Sequence, residues 1–188
     1  MKNIITTLIA ISITLLSPIA VAHENNLTQN LFSGMAHPLA GIDHLFALIL
    51  AGILIARLKT KQCIATGSVS LALILGAIGA LVIGNQTWIQ SAWVEAAILF
   101  SIPLYAFLLW IQKSAQTLSI TLMSLFMTAH GWIHGIEISA NNHGVNHLLG
   151  DSSFMFGLLL SCITIVSVSN VIASSIINST DKNNYAQS

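Results

Sequence analysis

Five long apolar segments constrain the fold of this chain more than any other feature of its sequence. Each is close to the ~20 residues that an α-helix needs to cross the hydrocarbon core of a bilayer. Only helices and closed barrels satisfy their backbone polar groups in lipid, and the sequence lacks the alternating ~10-residue segments of a barrel. The sequence therefore predicts an all-α integral membrane protein, a bundle of about five transmembrane helices. The segments are residues 37–56, 64–84, 88–111, 117–138 and 153–177.

Composition supports a surface that faces lipid. Hydrophobic residues make up 55% of the chain and charged residues only 6%, whereas soluble proteins carry roughly 25% charged residues. Six basic and six acidic side chains cancel, so no nucleic-acid partner is expected. Cys63 and Cys162 lie too far apart in unlike contexts to indicate a disulfide framework. A lipid bilayer is an expected partner, and a homo-oligomer is left open.

The N-terminus has the pattern of a cleaved signal peptide, predicted to cover residues 1–22. Lys2 gives a short positive region, residues 4–16 are apolar, and Ala-Val-Ala at 20–22 is a small-x-small cleavage site. The apolar stretch is shorter than a spanning helix of ~20 residues, which favours cleavage over an uncleaved first helix. Cleavage would make His23 the first residue of the mature chain.

The positions of the cations predict the orientation of the bundle. If the mature chain starts outside, all of its Lys and Arg residues fall on the cytoplasmic side, as the positive-inside rule requires. They are Arg57, Lys59, Lys61, Lys113 and Lys182. The predicted organisation is one transmembrane helical domain, residues 23–178, in a bacterial inner membrane. The mature N-terminus is then periplasmic, and residues 179–188 form a cytoplasmic tail.

Two histidine-rich motifs interrupt the apolar spans. The first span opens with HPLAGIDH, residues 37–44, in which Pro38 suits a first helical turn. His37 and His44 are seven residues apart, so they are expected to share one face of the helix, with Gly41 between them and Asp43 beside them.

The fourth span ends with HGWIHGIE, residues 130–137, where His130, His134 and Glu137 follow each other at i, i+4 and i+7 and form one stripe. Glu95 lies about two turns into the third span. With the predicted orientation, all of these groups fall in the outer half of the membrane.

Such a layer of ionisable groups in lipid calls for a compensating charge. A carboxylate at a helix centre costs ~3 kcal/mol, and no Lys or Arg is near Asp43, Glu95 or Glu137 in the sequence. Protons or a divalent cation could compensate. Four imidazoles in the same layer favour a metal, and nitrogen with oxygen ligands suits nickel, cobalt or zinc.

Plainer interpretations apply to individual residues. A single intramembrane histidine is more often a hydrogen-bonding partner between helices than a ligand, and Glu95 alone could be a protonated packing carboxyl. Gly131 and Gly135 form a small-xxx-small pair that indicates helix packing. Three more histidines are candidates for secondary metal capture, although solvation in a loop or at the terminus explains them better: His23, His143 and His147.

The motifs resemble signatures of the HupE/UreJ family of nickel permeases. HPLAGIDH resembles HPxxGxDH, HGWIHGIE resembles HGxxHGxE, and WVEAAI at 93–98 matches the start of the family's middle helix. A cleaved signal followed directly by histidine is also typical, and the resemblance covers nearly all of residues 20–177. It implies a nickel importer. The implied transport site comprises His37, Asp43, Glu95, His134 and Glu137, with His44 and His130 beside them.

Two departures from the family pattern bear on the cargo. The last helix of family members often ends with Thr-x-x-Leu-His, whereas residues 161–167 read SCITIVS without a histidine. Ile133 also stands where a small residue is common. The missing histidine implies a narrower ligand set or a different metal preference, which keeps cobalt and zinc beside nickel as cargo.

The favoured prediction is a transporter without enzymatic activity or a catalytic cofactor, importing a divalent transition metal, with nickel as the favoured ion. The sequence has no P-loop, so the membrane potential or a coupled ion would supply the energy. An intramembrane metal-dependent hydrolase is the alternative, since histidines and carboxylates can hold zinc and activate water. The sequence has no HExxH motif to support it. A metal sensor or assembly factor is a third interpretation.

Overall fold

The computed structural model describes residues 30–58, 61–83, 91–111, 116–140 and 148–186. These residues form six helices and no strand, which confirms the predicted all-α class for this part of the chain. The helices are α1 (Leu31–Ala40), α2 (Ile42–Ala56), α3 (Gln62–Ile83), α4 (Ser91–Ile111), α5 (Gln116–Ala140) and α6 (Leu148–Ala186). The predicted signal peptide, residues 1–22, lies outside the described residues.

Each of the five predicted apolar segments corresponds to a helix or a helix pair. Within the described residues, α3, α4 and α6 are each long and apolar enough to cross a membrane, and the bent pair of α1 and α2 would be a fourth span. Helix α5 has 25 residues but is less apolar, because serines, threonines and its two histidines interrupt its hydrophobic residues. The described residues therefore contain three to four candidate membrane spans, and a count of five stays a prediction.

The first predicted span is two helices. Helices α1 and α2 meet at Gly41 with an 84° bend, and Gly41 has an extended backbone with φ −87° and ψ 106°. Pro38 lies in the last turn of α1, so its placement in a first helical turn is wrong. Proline cannot donate the i→i−4 hydrogen bond, and glycine is a poor helix former, so together they favour a break here. His37 and His44 therefore do not share the face of one helix.

Close glycine contacts hold α5 against α3. A Cβ built on Gly131 would lie 2.9 Å from the backbone nitrogen of Ala77, and one on Gly135 would lie 2.6 Å from the Ala77 carbonyl oxygen. These approaches confirm the predicted packing role of both glycines, because only a residue without a side chain fits there. Gly67 is an exception among the glycines of the spans, since a Cβ there would meet nothing within 4 Å.

The largest hydrophobic core lies at the end of the bundle where α2 ends and α3 begins. It joins the C-terminal halves of α2 and α4 to the N-terminal halves of α3 and α5, and α6 crosses it. Met123, Met127 and Cys162 lie in it with at most 1% exposure. Cys162 therefore packs as a small apolar residue.

Candidate metal centre

Three histidines from two helices converge at one point in the bundle. His44 is in the first turn of α2, and His130 and His134 lie one turn apart near the C-terminal end of α5. One ligand atom from each lies within 4.8 Å of those from the other two. Three nitrogens held about 2.1 Å from one ion lie ~3.4 to 3.6 Å from each other, so each ring would have to move by less than about 1 Å to share an ion.

The three imidazoles are largely buried, and their rings contact each other in tilted or edge-on arrangements. His130 is 1% exposed and His134 is fully buried. The ring centroids of His44 and His130 are 4.7 Å apart, and those of His44 and His134 are 5.1 Å apart. Nε2 of all three rings is buried, and Nε2 of His44 makes no hydrogen bond to the described residues. A buried polar nitrogen without a partner is costly, and coordination of a cation would remove that cost.

Asp43 and His44 form a pair at the start of α2. Nδ1 of His44 donates a hydrogen bond to Oδ1 of Asp43 over 3.0 Å. The helix places these neighbours on different sides, so that the carboxylate is the more exposed member, at 35% against 15% for the imidazole. Asp43 is thus within reach of the histidine group without being one of its three members.

His37 reaches the group from α1. Its ring centroid is 5.1 Å from that of His134 and 5.7 Å from that of Phe154 on α6, both in edge-on arrangements. The bend at Gly41 lets α1 pack against α6, and His37 and His44 contact the same His134 ring from two helices. The predicted neighbourhood of these two histidines therefore arises through the bend and not through a common helical face.

Glu95 lies on α4 beside the site without belonging to the three-histidine group. It is half-buried, and its neighbours Val94 and Ile98 pack with Ala47 and Ile133. Ala47 and Ile133 each follow a group histidine by one turn of helix, so this part of α4 borders the layer of the histidines. Ile133, which stands where a small residue is common in the family, fills this contact between α4 and α5.

The remaining predicted ligands are not described at the level of side chains. Glu137 lies in α5, but its side chain is outside the described part of the structure. His23, His143 and His147 fall in segments outside the described residues.

Comparison with known proteins identifies the family of the chain. A family model described as HupE / UreJ protein matches residues 11–185. The chain belongs to the HupE/UreJ family. Protein HupE of Rhizobium leguminosarum bv. viciae is 29% identical over 153 residues, which cover 79% of this chain and 75% of that protein. No solved structure matches the chain.

Membership of the HupE/UreJ family confirms the resemblance drawn from the two motifs. Both motifs lie within the matched range, and the three-histidine group combines the last residue of the first motif with both histidines of the second. The sequence signal that was overlooked is the pairing of Pro38 with Gly41, which marks the bend that moves His37 onto another helix.

Proposed function

We propose that this HupE/UreJ protein imports a divalent transition-metal ion, with nickel as the favoured cargo. The observation that carries the proposal is the group of His44, His130 and His134, whose ligand atoms lie within 4.8 Å of one another between membrane helices. Imidazole nitrogens suit nickel, cobalt and zinc, and a buried three-histidine group has little other use in lipid.

The other predicted ligands would pass the metal ion to the three-histidine group or bind it near that group. His37 lies against His134 on the side of α1 and would receive the ion first. Glu95 and Glu137 complete the predicted set and would supply oxygen ligands or negative charge near it. If the N-terminus is periplasmic, the group lies in the outer half of the membrane and loads from the periplasm.

The membrane potential is sufficient to drive such uptake. A divalent ion that moves inward gains about 4.6 kcal/mol per 100 mV, twice the figure for a single charge. Because the sequence lacks a P-loop, this potential or a coupled ion would take the place of nucleotide hydrolysis. The proposal makes the metal the cargo and assigns the protein no reaction of its own.

Metal accumulation tests the proposal directly. Cells or proteoliposomes carrying the protein should accumulate ⁶³Ni. Removing a residue that hydrogen-bonds to a metal ligand typically costs ~10- to 100-fold in metal affinity, and His134→Ala, which removes a ligand itself, should reduce nickel uptake by more than that. Met123→Ala is the matched control, because Met123 is also fully buried on α5 but lies in the apolar core. Uptake is normalised to the amount of protein in the membrane.

The uptake of nickel by the wild type and by His134→Ala distinguishes a metal importer from a metal-dependent hydrolase. Equal uptake by the wild type and His134→Ala, with both present in the membrane, would exclude import through this site. Competition by unlabelled cobalt and zinc ranks the three metals. A cleaved lipid or peptide that depends on His134, in the absence of uptake, would support the hydrolase.

A further inference from the structure

We propose that Asp43 is a positioning residue that acts through His44 and is not a ligand of the ion. Its carboxylate would hold the His44 ring so that Nε2 faces His130 and His134. This inference rests on the proposed function, since it assigns a role within the site that holds the cargo.

The hydrogen bond decides which nitrogen of His44 can bind metal. Nδ1 is bonded to Oδ1 of Asp43 at 3.0 Å, and a carboxylate can only accept, so Nδ1 carries the proton. When the ring binds a metal ion, Nε2 is then the nitrogen that offers a lone pair, and it is buried with no hydrogen bond to the described residues. Metal-binding histidines in proteins are oriented in this way by a carboxylate behind the ring.

The composition of the histidine group supports the same division of roles. Among the described residues, the side chains whose ligand atoms gather are three histidines, and the neighbouring Asp43 is not among them. Three neutral imidazoles leave the charge of a divalent ion uncompensated. A carboxylate bonded to one of the rings reduces that charge while its own partly exposed position limits the cost of its desolvation.

Gly41 gives the pair its place at the helix bend. A Cβ at this position would lie 3.2 Å from Nδ1 of His44 and 3.3 Å from Oδ1 of Asp43. The hydrogen bond therefore lies beside the residue where α1 turns into α2, and any side chain at that residue would press on both of its atoms. The glycine at the bend thus leaves room for the Asp43–His44 bond.

Cobalt binding to the purified full-length protein tests the assignment. Asp43→Ala should weaken cobalt binding by ~10- to 100-fold, the usual loss when a partner behind a metal-binding histidine is removed. Asp43→Asn should bind within about fivefold of the wild type, because the amide oxygen can accept the same Nδ1–H bond. The visible absorption bands of saturated cobalt should be the same in all three proteins, since the ligands are unchanged.

A ¹⁵N NMR spectrum of the histidines gives a readout that needs no metal. In the metal-free wild type and in Asp43→Asn, His44 should be protonated on Nδ1, and this preference should weaken in Asp43→Ala. Asp181→Asn, a carboxylate change on the distant end of α6, is the matched control and should alter neither readout. Size-exclusion chromatography checks that each variant is folded.

Each result bears on the inference. If Asp43→Asn binds cobalt as weakly as Asp43→Ala, or shifts the cobalt bands at saturation, Asp43 is a ligand. That result would overturn the positioning role and leave the proposed import function standing. A folded wild type that binds neither cobalt nor nickel would overturn the proposed function, and the positioning role with it.

Discussion

Helix α5 meets its neighbours through two different kinds of contact within the same two turns. On one side, Gly131 and Gly135 bring its backbone against the backbone of α3 at Ala77. On the other side, His130 and His134 reach α2 and α1 through ring contacts with centroids 4.7 to 5.1 Å apart. The order HGWIHG therefore places its two histidines on a site face and the glycine after each histidine on a packing face.

The two faces differ in what holds them together. The glycine face is an approach of main chains, so its geometry is independent of any ion and leaves no room for a side chain. The histidine face is made by side chains that can rotate, and a cation or a hydrogen-bond partner would stabilise the buried Nε2 of His44. We infer that α3 and α5 form a fixed frame, against which α1 and α2 present the remaining donors.

The largest expected effect comes from filling the glycine face. Gly131→Leu should destabilise the fold by about 3 kcal/mol or more, because overpacking at a backbone contact cannot be relieved by a rotamer change. The amount of monodisperse protein after detergent extraction, measured by fluorescence-detected size exclusion, should fall sharply. Gly67→Leu is the matched control on α3, since a Cβ there meets nothing within 4 Å. Equal recovery of the two variants would contradict the fixed frame.

A smaller and purely functional effect is expected at the edge of the histidine face. His37 contacts His134 but is not one of the three gathered histidines. His37→Ala should therefore raise the KM for nickel uptake by about tenfold. This is the lower end of the loss in metal affinity seen when a residue that supports a metal ligand is removed. The maximal rate and the amount of protein should change little. A variant that loses uptake even at saturating nickel would place His37 among the ligands.

The smallest expected effect comes from the bend. Gly41→Ala introduces no backbone strain, because φ at this position is −87°, but its Cβ would press on His44 and Asp43 at 3.2 and 3.3 Å. Nickel uptake at low concentration should fall about threefold, a loss near 0.7 kcal/mol. Gly67→Ala should leave uptake and thermal stability unchanged. If Gly41→Ala behaves in the same way, the Asp43–His44 pair has more freedom than its contacts indicate.

Part of the site follows from helical periodicity alone. His130 and His134 are four residues apart on one uninterrupted helix, so their adjacency is confirmed, with ring centroids 5.2 Å apart. The same rule fails for His37 and His44, because it assumes a continuous helix where Gly41 bends the chain by 84°. The two residues nevertheless lie near each other, since both contact His134.

Contacts between helices could not be predicted from the sequence. Glu95 was expected in the same layer as the histidines, and its neighbours do pack beside them, but only the crossing of α4 with α2 and α5 decides what its carboxylate can reach. The bond from His44 to Asp43 joins neighbouring residues of α2, but only the packing of α2 against α5 decides what the His44 ring can contact.

The sequence by itself determined the helices, the apolar surface and the presence of two histidine motifs, because lipid requires each backbone to satisfy its own hydrogen bonds and tolerates few charges. Only the tertiary structure decided that His44, His130 and His134 gather while Asp43 stands behind His44. Those positions depend on the angle at Gly41 and on the close approach at Gly131 and Gly135. Both are relations between helices that residue spacing along one helix does not contain.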